Sequence, residues 1–223
     1  MSLQIRQMFD GISRKYDFLN HFLSLGRDIR WRKRAVKQLP KGTESILDLC
    51  GGTGDFLMEA QKVLPQAKGL VADFSFGMLA VCRKKFPETP TVQLDAMRTP
   101  LESESFQGAL NAFGMRNLDC TKSGIQEANR ILTPGGYFIT LEFFKPSNPI
   151  SFVFYKILAP AFIPIFGAFF SGRKSAYEYL VRSIKGFLTV ADYGKLCEDS
   201  GFQVKKISVC DFGIAHIVVC QKK

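Results

Sequence analysis

The sequence has few of the residues that build metal centres and disulfide frameworks. It contains two histidines, His21 and His216, and six scattered cysteines, none of them in a C-x-x-C pair. A structural zinc site needs four ligands at close spacings, and a secreted disulfide scaffold needs a denser cysteine pattern. We therefore expect reduced thiols and no metal site.

Long uninterrupted apolar segments are also missing. The N-terminal stretch MSLQIRQMFDGISRKYDF carries charges where a secretory leader needs an apolar run, so we expect a cytoplasmic protein. Residues 146–172 have one charged residue, Lys156, but Pro160, Pro164 and Gly167 interrupt them. A membrane span needs about 20 apolar residues. We expect broken helices that form an apolar lid or touch a membrane, with packing against the sheet as the alternative.

Acidic residues are too few to balance the basic ones. The formal net charge is +10, and many of the basic residues lie between Arg27 and Lys41, where Asp28 is the sole acid. Closely spaced phosphates, in nucleic acid or on an anionic membrane surface, are the partners that such a segment suits. A solvated basic helix face is the alternative. We expect peripheral contact with an anionic membrane, at the inner face of the plasma membrane, and the sequence leaves a homodimer open.

The periodicity of apolar residues changes after residue 42. Before that point, Met8, Ile12, Tyr16 and Leu19 recur every three or four residues, which predicts helices. After it come five short apolar runs separated by segments that could each hold a helix: SILDLC (45–50), KGLVAD (68–73), TVQL (91–94), FQGALNAF (106–113) and YFITLEF (137–143). The turn residues TPGG (133–136) precede the fifth run.

This alternation predicts βαβ units, in which parallel strands are buried between helices. A helix at 190–200 and a closing hairpin, QVKKISVC and GIAHIVVC, complete the pattern. The expected fold is α/β, with a doubly wound, mostly parallel seven-stranded sheet. We divide a single domain into four parts: an N-terminal helical cap (1–42), a cofactor-binding core (43–145), the apolar insertion (146–188) and a C-terminal helix with its hairpin (189–223).

The stretch DLCGGTGDF (48–56) lies directly after the first predicted strand. Its glycines let the chain turn tightly and bring a ligand close to bare backbone. A dinucleotide fingerprint would have a third glycine where Leu57 stands, and Asp55 puts a negative charge at the start of the helix. Both features disfavour a pyrophosphate ligand and with it a nicotinamide-dependent oxidoreductase.

Acidic residues at successive strand ends indicate a different ligand. Asp48 and Asp55 suit an amino group and a sulfonium, and Asp73, ending the second strand, suits ribose hydroxyls. Asp95 and the Ala96 backbone, in LDAM (94–97), could contact adenine. S-adenosylmethionine combines these groups. Each aspartate taken alone could instead be a helix cap or a surface charge.

Further motifs make the sequence resemble the ubiquinone/menaquinone biosynthesis C-methyltransferases, a family of class I S-adenosylmethionine-dependent enzymes. The resemblance covers nearly the whole chain. It rests on LDLCGGTGDF, on the F-G-x-R-N block at Phe113 to Asn117, on RILTPGG running to LEF, and on the N-terminal block of Phe9, Ile12, Tyr16, Asp17, Asn20, Ser24, Gly26, Trp31 and Arg32. Among the departures, Asp28 stands where the family usually has His.

The resemblance implies a methyltransferase fold of the Rossmann-like type and a cofactor, S-adenosyl-L-methionine, bound by Thr53, Asp73, Asp95 and Ala96. With the glycine loop and neighbouring strand ends, we assign to the cofactor site Asp48, Gly51, Gly52, Thr53, Gly54, Asp73, Phe74, Asp95, Ala96 and Ala112.

The implied reaction moves a methyl group to a ring carbon of a polyprenyl quinol, with demethylmenaquinol as the favoured acceptor and a benzoquinol left open. A quinol ring is nucleophilic at carbon when a neighbouring hydroxyl gives up or shares its proton. Arg116 is our candidate stabiliser of the resulting phenolate, because a guanidinium stays charged. Tyr16, Asp17 and His21 are candidates to close over the ring.

Three other classes are weighed against this interpretation. A nucleic-acid methyltransferase is disfavoured because NAFGMRN lacks the Asn/Asp-Pro-Pro-aromatic block and because Pro precedes none of the cysteines. A non-catalytic membrane-binding protein would not need acids at the strand ends. A methyltransferase acting on another lipid or small molecule is the main alternative, since the fold fixes the donor and not the acceptor.

Overall fold

The computed structural model describes residues 3–146 and 174–223. It begins with two helices, as predicted, and then alternates strands with helices. The elements are α1 (Leu3–Leu23), α2 (Arg27–Val36), β1 (Ser45–Leu49), α3 (Asp55–Val63), β2 (Lys68–Asp73), α4 (Phe76–Lys85), β3 (Thr91–Gln93), β4 (Phe106–Ala112), α5 (Thr121–Ile131), β5 (Leu132–Glu142), α6 (Lys174–Gly186), α7 (Val190–Asp199), β6 (Phe202–Cys210) and β7 (Ala215–Lys222).

The strands form one seven-stranded sheet in the order β3-β2-β1-β4-β5-β7-β6. The first five strands are parallel, and β7 runs antiparallel to both β5 and β6. The doubly wound sheet and the closing hairpin are therefore confirmed. The strand order reverses between β1 and β4, and in open α/β sheets ligands bind in the crevice beyond the carboxyl ends of such strands.

Helices cover both faces of the sheet. Alternate strand residues face opposite sides, so Ile46 and Leu110 pack towards α2, α3 and α4, while Leu47 and Ala109 pack towards α5 and α7. Burial on both faces explains why the strands are continuous apolar runs rather than alternating ones. The sheet thus lies between two apolar clusters, one on each face, and the polar groups at the strand ends lie at the edges of these clusters.

One predicted turn falls within the bounds of a strand. The TPGG residues lie inside β5, which begins at Leu132, and the pairing with β4 shifts register between Phe106 and Gly108. Residues 133–136 have no partners on β4 and form a bulge, in which Gly135 has a φ of 77°.

The apolar lid predicted for residues 146–172 lies, apart from Pro146, outside the described residues. Within 3–146 and 174–223, none of the helices combines the length and the apolar character that crossing a bilayer requires.

Helix α1 is tied to the amino end of α4. The carboxylate oxygen Oδ1 of Asp10 accepts hydrogen bonds from the Ser75 hydroxyl at 2.5 Å and from the Gly77 amide at 2.9 Å. Ser75 also caps α4, because its hydroxyl accepts from the Met78 amide. Helix α1 is thereby fixed beside the turn that follows β2.

We expect Asp10→Ala to lower the free energy of unfolding by about 1–2 kcal/mol, because it removes a side-chain partner of a helix-terminal amide. Amide hydrogen exchange in α1 should become faster. Chemical denaturation and exchange measured by mass spectrometry test this. Lys62→Ala, which removes an exposed ion pair with Glu59, is the control and should change both little. Unchanged exchange in α1 of the Asp10 variant would contradict the role given to this carboxylate.

Candidate active site

The loop after β1 needs glycine for two reasons: Gly51 packs closely against Asp48, and Gly52 and Gly54 have left-handed backbone conformations. A Cβ added at Gly51 would lie 2.7 Å from Cγ of Asp48, so a side chain does not fit there. Gly52 and Gly54 have φ values of 57° and 86°, which favour glycine. A Cβ at Gly52 would meet no atom within 4 Å. The loop therefore presents bare backbone beside open space, as a bound ligand requires.

Asp73 links the end of β2 to this loop. Its Oδ2 accepts from the Gly52 amide at 2.9 Å, and its Oδ1 accepts from the Ser75 amide at 2.7 Å. Burial raises the pKa of Asp73 to about 6. Asp73, the residue predicted to bind the ribose, is thus held against the predicted glycine loop.

Asp48 lies beneath the loop and is fully buried. Its Oδ2 accepts from the Leu57 amide at 3.1 Å, while its Oδ1 has no hydrogen-bond partner in the described part of the chain. Burial raises its pKa from 3.8 to about 7. An unmatched buried oxygen next to a glycine loop fits a ligand that brings a hydrogen-bond donor, such as the amino group of the methyl donor.

Helix α1 contacts the loop directly. The Thr53 hydroxyl donates to Oδ1 of Asp17 at 2.5 Å, and Nζ of Lys85 binds Asp17 at 2.7 Å and Asp55 at 2.5 Å. Sequence reasoning expected Asp55 to face the ligand, whereas here it is paired with Lys85. Asp17, a candidate to close over the acceptor ring, holds α1 against the loop through these contacts.

The remaining cofactor candidates lie at neighbouring strand ends. The Leu94 amide donates to the Asp73 carbonyl, which keeps the segment after β3 close to β2. Asp95 accepts from the Met97 amide through its Oδ1, and Ala96 is buried. The remaining two are both half-buried: Phe74 follows β2, and Ala112 ends β4.

Arg116 follows β4 and is held in place by a buried ion pair. Its Nη1 donates to Oε1 of Glu142 at 2.5 Å and to the Phe113 carbonyl at 2.8 Å. The side chain of Arg116 is 7% exposed and that of Glu142 is 0% exposed. Burial raises the pKa of Glu142, and the charge of Arg116 opposes that rise.

Aromatic rings enclose the Arg116 guanidinium. Its central carbon lies 5.9 Å from the ring centre of Phe113 and 5.5 Å from that of Phe143. These two rings stack at 4.5 Å, and Trp31 meets both edge-on. Nε of Arg116 is buried without a partner in residues 3–146 and 174–223. A cation in apolar surroundings with an unused donor is suited to stabilising an oxyanion.

Tyr16 and His21 approach from α1. Burial raises the pKa of Tyr16, and the charges of Arg116 and Arg32 oppose this rise, so the phenol lies in the electrostatic range of the predicted stabiliser. Nδ1 of His21 lies 2.9 Å from Oδ2 of Asp28. The structure therefore brings Tyr16 towards Arg116 and fixes the His21 ring through Asp28.

Asp28 is the centre of a second buried cluster, which was not predicted from the sequence. It is 1% exposed, pairs with Arg32, and accepts from the Ser24 hydroxyl at 2.7 Å. Although burial acts in the opposite direction, the Ser24 hydrogen bond and the Arg32 charge keep the pKa of Asp28 below its ordinary value. The Arg32 guanidinium lies 5.8 Å from the Phe113 ring, so this ring connects both arginines.

Sequence reasoning missed Glu142 and Asn111 as site residues. The Asn111 amide nitrogen donates to the Leu49 carbonyl at 2.6 Å, and its Oδ1 accepts from the Gly114 and Met115 amides. Asn111 therefore fixes the turn that carries Arg116. In each case the available signal was a polar residue inside an apolar strand, which usually has a partner.

The amino-acid sequence matches the model of the ubiE/COQ5 methyltransferase family over residues 1–222. The chain belongs to this family. It is an S-adenosyl-L-methionine-dependent methyltransferase, as its motifs predicted. The glycine loop, the open space at Gly52 and the unmatched oxygen of Asp48 fit that cofactor.

Two similar proteins are named demethylmenaquinone methyltransferase. The one from Chlamydia caviae is 35% identical over 222 residues, which cover 98% of this chain and 96% of the relative. The one from Thermus thermophilus is 35% identical over 217 residues, covering 95% of this chain and 98% of the relative. Both likenesses therefore extend over nearly the full length of each protein.

Solved structures share the fold. A possible histamine N-methyltransferase from Thermotoga maritima superimposes with a TM-score of 0.69 at 20% identity, covering 97% of this chain and 99% of the other. Geranyl diphosphate methyltransferase, solved in complex with S-adenosylmethionine, gives a TM-score of 0.65 at 10% identity, covering 87% and 85%. At these identities the likeness extends to the architecture alone.

We expect Glu142→Leu to destabilise the protein by about 3–5 kcal/mol, because Arg116 would be left as an uncompensated buried charge. The double variant Glu142→Leu/Arg116→Met should recover much of this loss, since both charges are then removed. Chemical denaturation of the wild-type protein, both single variants and the double variant measures the coupling. A double variant as unstable as the sum of the singles would contradict a direct interaction.

Asp48 generates a pH dependence of stability. Its pKa is higher in the folded chain than in the unfolded one, so stability falls as the pH rises from about 4 to about 7. Asp48→Asn removes this titration, and the decline over that interval should shrink by roughly 2–4 kcal/mol. Denaturation at a series of pH values tests the slope, with the exposed Asp199→Asn as the control. Equal slopes in the Asp48 variant and the wild-type protein would refute the assignment.

Proposed function

We propose that this methyltransferase C-methylates the ring of a polyprenyl quinol, with demethylmenaquinol as its acceptor. The observation that carries the proposal is the position of Arg116 in the turn after β4, where it is buried among aromatic rings and oriented by Glu142. The names of the full-length relatives support the choice of acceptor. Another lipid or small-molecule acceptor is the alternative, and a benzoquinol is the alternative ring.

The donor side of the proposal assigns one task to each strand end. Asp73 binds the ribose hydroxyls, while Asp95 and the Ala96 backbone bind adenine. The unmatched Oδ1 of Asp48 and the glycine loop receive the methionine portion. When bound, the cofactor supplies a methyl group on a sulfonium. The chain's contribution is alignment and exclusion of water, and orientation of this kind can supply about 7–11 kcal/mol.

On the acceptor side, Arg116 stabilises the negative charge that develops on the ring oxygen. The unused Nε donor and the apolar surroundings strengthen this interaction, because water does not compete there. Tyr16 contacts the ring from α1. His21, oriented by Asp28, is our candidate for the proton acceptor, and Asp17 keeps α1 closed over the loop through Thr53.

A lipid-soluble acceptor resides in a membrane, so the enzyme has to reach its substrate at the membrane surface. We propose peripheral contact with an anionic bilayer at the cytoplasmic face, supported by the formal charge of +10.

The division of roles is tested by calorimetry and by transfer of a tritiated methyl group. Asp73→Ala should abolish binding of S-adenosylhomocysteine, because the ribose loses its ligand. Arg116→Ala should leave this binding nearly intact and lower kcat by about 100-fold, because one oxyanion donor is lost. Equal loss of cofactor affinity in both variants would contradict the division.

The acceptor is tested in the same assay with reduced demethylmenaquinone and its benzoquinol counterpart. We expect label to enter the naphthoquinol ring preferentially. Binding of S-adenosylhomocysteine with no transfer to either quinol would reject the proposed acceptor while leaving the methyltransferase in place.

A further inference from the structure

Two large apolar side chains are held in solvent by left-handed backbone. Leu25, between α1 and α2, is 76% exposed with a φ of 53°, and Phe212, between β6 and β7, is 74% exposed with a φ of 60°. Bulky residues other than glycine are rare in this region of backbone conformation. Residues held in such strained conformations cluster at functional sites.

A shared acid joins the two turns. Arg27 donates to Oδ1 of Asp211 at 2.6 Å, and the Trp31 indole donates to Oδ2 of Asp211 at 2.5 Å. Leu25 lies two residues before Arg27, and Phe212 follows Asp211 directly. The apolar side chains therefore project from one connected surface rather than from two independent loops.

The helix next to these turns exposes only basic charges. Arg27, Arg30, Lys33 and Arg34 are all exposed on α2, and the exposed Lys37 follows its last residue. The helix contains a single acid, and that residue is the buried partner of Arg32.

The edge strand β6 extends this surface. Arg34 donates to the carbonyl of Val209, whose own side chain is 53% exposed. Lys206 reaches Gln38 at the end of α2. We define the docking face as Leu25, Val209, Phe212 and the exposed basic residues of α2.

We propose that the docking face binds an anionic lipid bilayer, with Leu25 and Phe212 inserted among the headgroups and the α2 cations on the lipid phosphates. Apolar tips surrounded by arginine and lysine match an interface that offers hydrocarbon below a layer of negative charge. Nucleic acid would match the cations and leave both apolar side chains in water.

The position of α2 connects the docking face to the active site. Its Trp31 contacts the Phe113 and Phe143 rings that enclose Arg116. Its Ile29 and Arg32 line a cleft of about 440 Å³ whose other walls include Met58 and Phe86. A bilayer bound at this helix would lie next to the site where we propose a lipid quinol reacts, and to this extent the inference rests on the proposed function.

Vesicle sedimentation tests the docking face without any turnover. The wild-type protein should bind vesicles of equal parts phosphatidylglycerol and phosphatidylcholine, and it should not bind pure phosphatidylcholine. Arg30→Glu/Lys33→Glu should weaken the partition by about tenfold or more. Leu25→Asn/Phe212→Asn should also weaken it, and asparagine tolerates the left-handed backbone, so the fold is retained.

Matched controls separate this face from charge and apolarity in general. The charge control is Lys122→Glu/Lys195→Glu, which makes the same change of net charge on α5 and α7, at the opposite face of the sheet. The control for apolarity is Val63→Asn, which removes another exposed apolar side chain. Both should bind vesicles like the wild-type protein. The proposal would be overturned if the distant charge pair weakened binding equally, or if the wild-type protein did not bind phosphatidylglycerol vesicles. It would also be overturned if the protein bound duplex DNA through Arg30 and Lys33 without any contribution from Leu25 and Phe212.

Turnover on a short-tailed, water-soluble demethylated quinol distinguishes the two proposals. The docking-face variants should retain wild-type turnover on that acceptor. Vesicle binding with no turnover by the wild-type protein would count against the quinol alone, whereas turnover without vesicle binding would count against the docking face and the proposed bilayer contact, and would leave the quinol in place.

Discussion

The chain reverses its direction across the sheet between β1 and β4, and this reversal leaves a crevice beyond the carboxyl ends of the two strands. The strands deliver most of the groups assigned to the chemistry to that edge, and α1 adds Tyr16 and His21. Asp48 and the glycine loop come from β1, Asp73 from β2, Arg116 from the turn after β4 and Glu142 from the end of β5. Because the strands are parallel, their carboxyl ends lie along one edge of the sheet, so residues far apart in the sequence are gathered there without any long loop.

The same edge has to accommodate charge inside a double apolar core. The folded protein does so by pairing, with Arg116 against Glu142 and Arg32 against Asp28. Buried pairs of this kind add little net stability, but removal of one partner is costly. Their contribution is to orient a cation among aromatic rings, where water does not weaken its field. Asp48 lacks such a partner, and its raised pKa expresses that cost.

Much of this arrangement could be predicted from local patterns. The short apolar runs gave the strands, and Asp73 and the glycine loop could be identified because acids and glycines at strand ends are visible within a few residues. The role of Glu142 could not, because its partner Arg116 is 26 residues away in the sequence, and neither could the bond from Asn111 to the Leu49 carbonyl, which spans 62 residues. Asp55 and Asp17 were expected at the ligand, but the sequence does not reveal that Lys85, from the end of α4, binds both.

We propose that the methyl donor and the acceptor ring meet between Asp73 and Arg116. A crystal structure of the protein with S-adenosylhomocysteine and a short-tailed demethylmenaquinone tests it most directly. Our account predicts that the Asp73 carboxylate binds the ribose hydroxyls and that the Arg116 guanidinium lies within hydrogen-bond distance of a ring oxygen. A ring bound away from Arg116, or a nucleoside that does not touch Asp73, would contradict it.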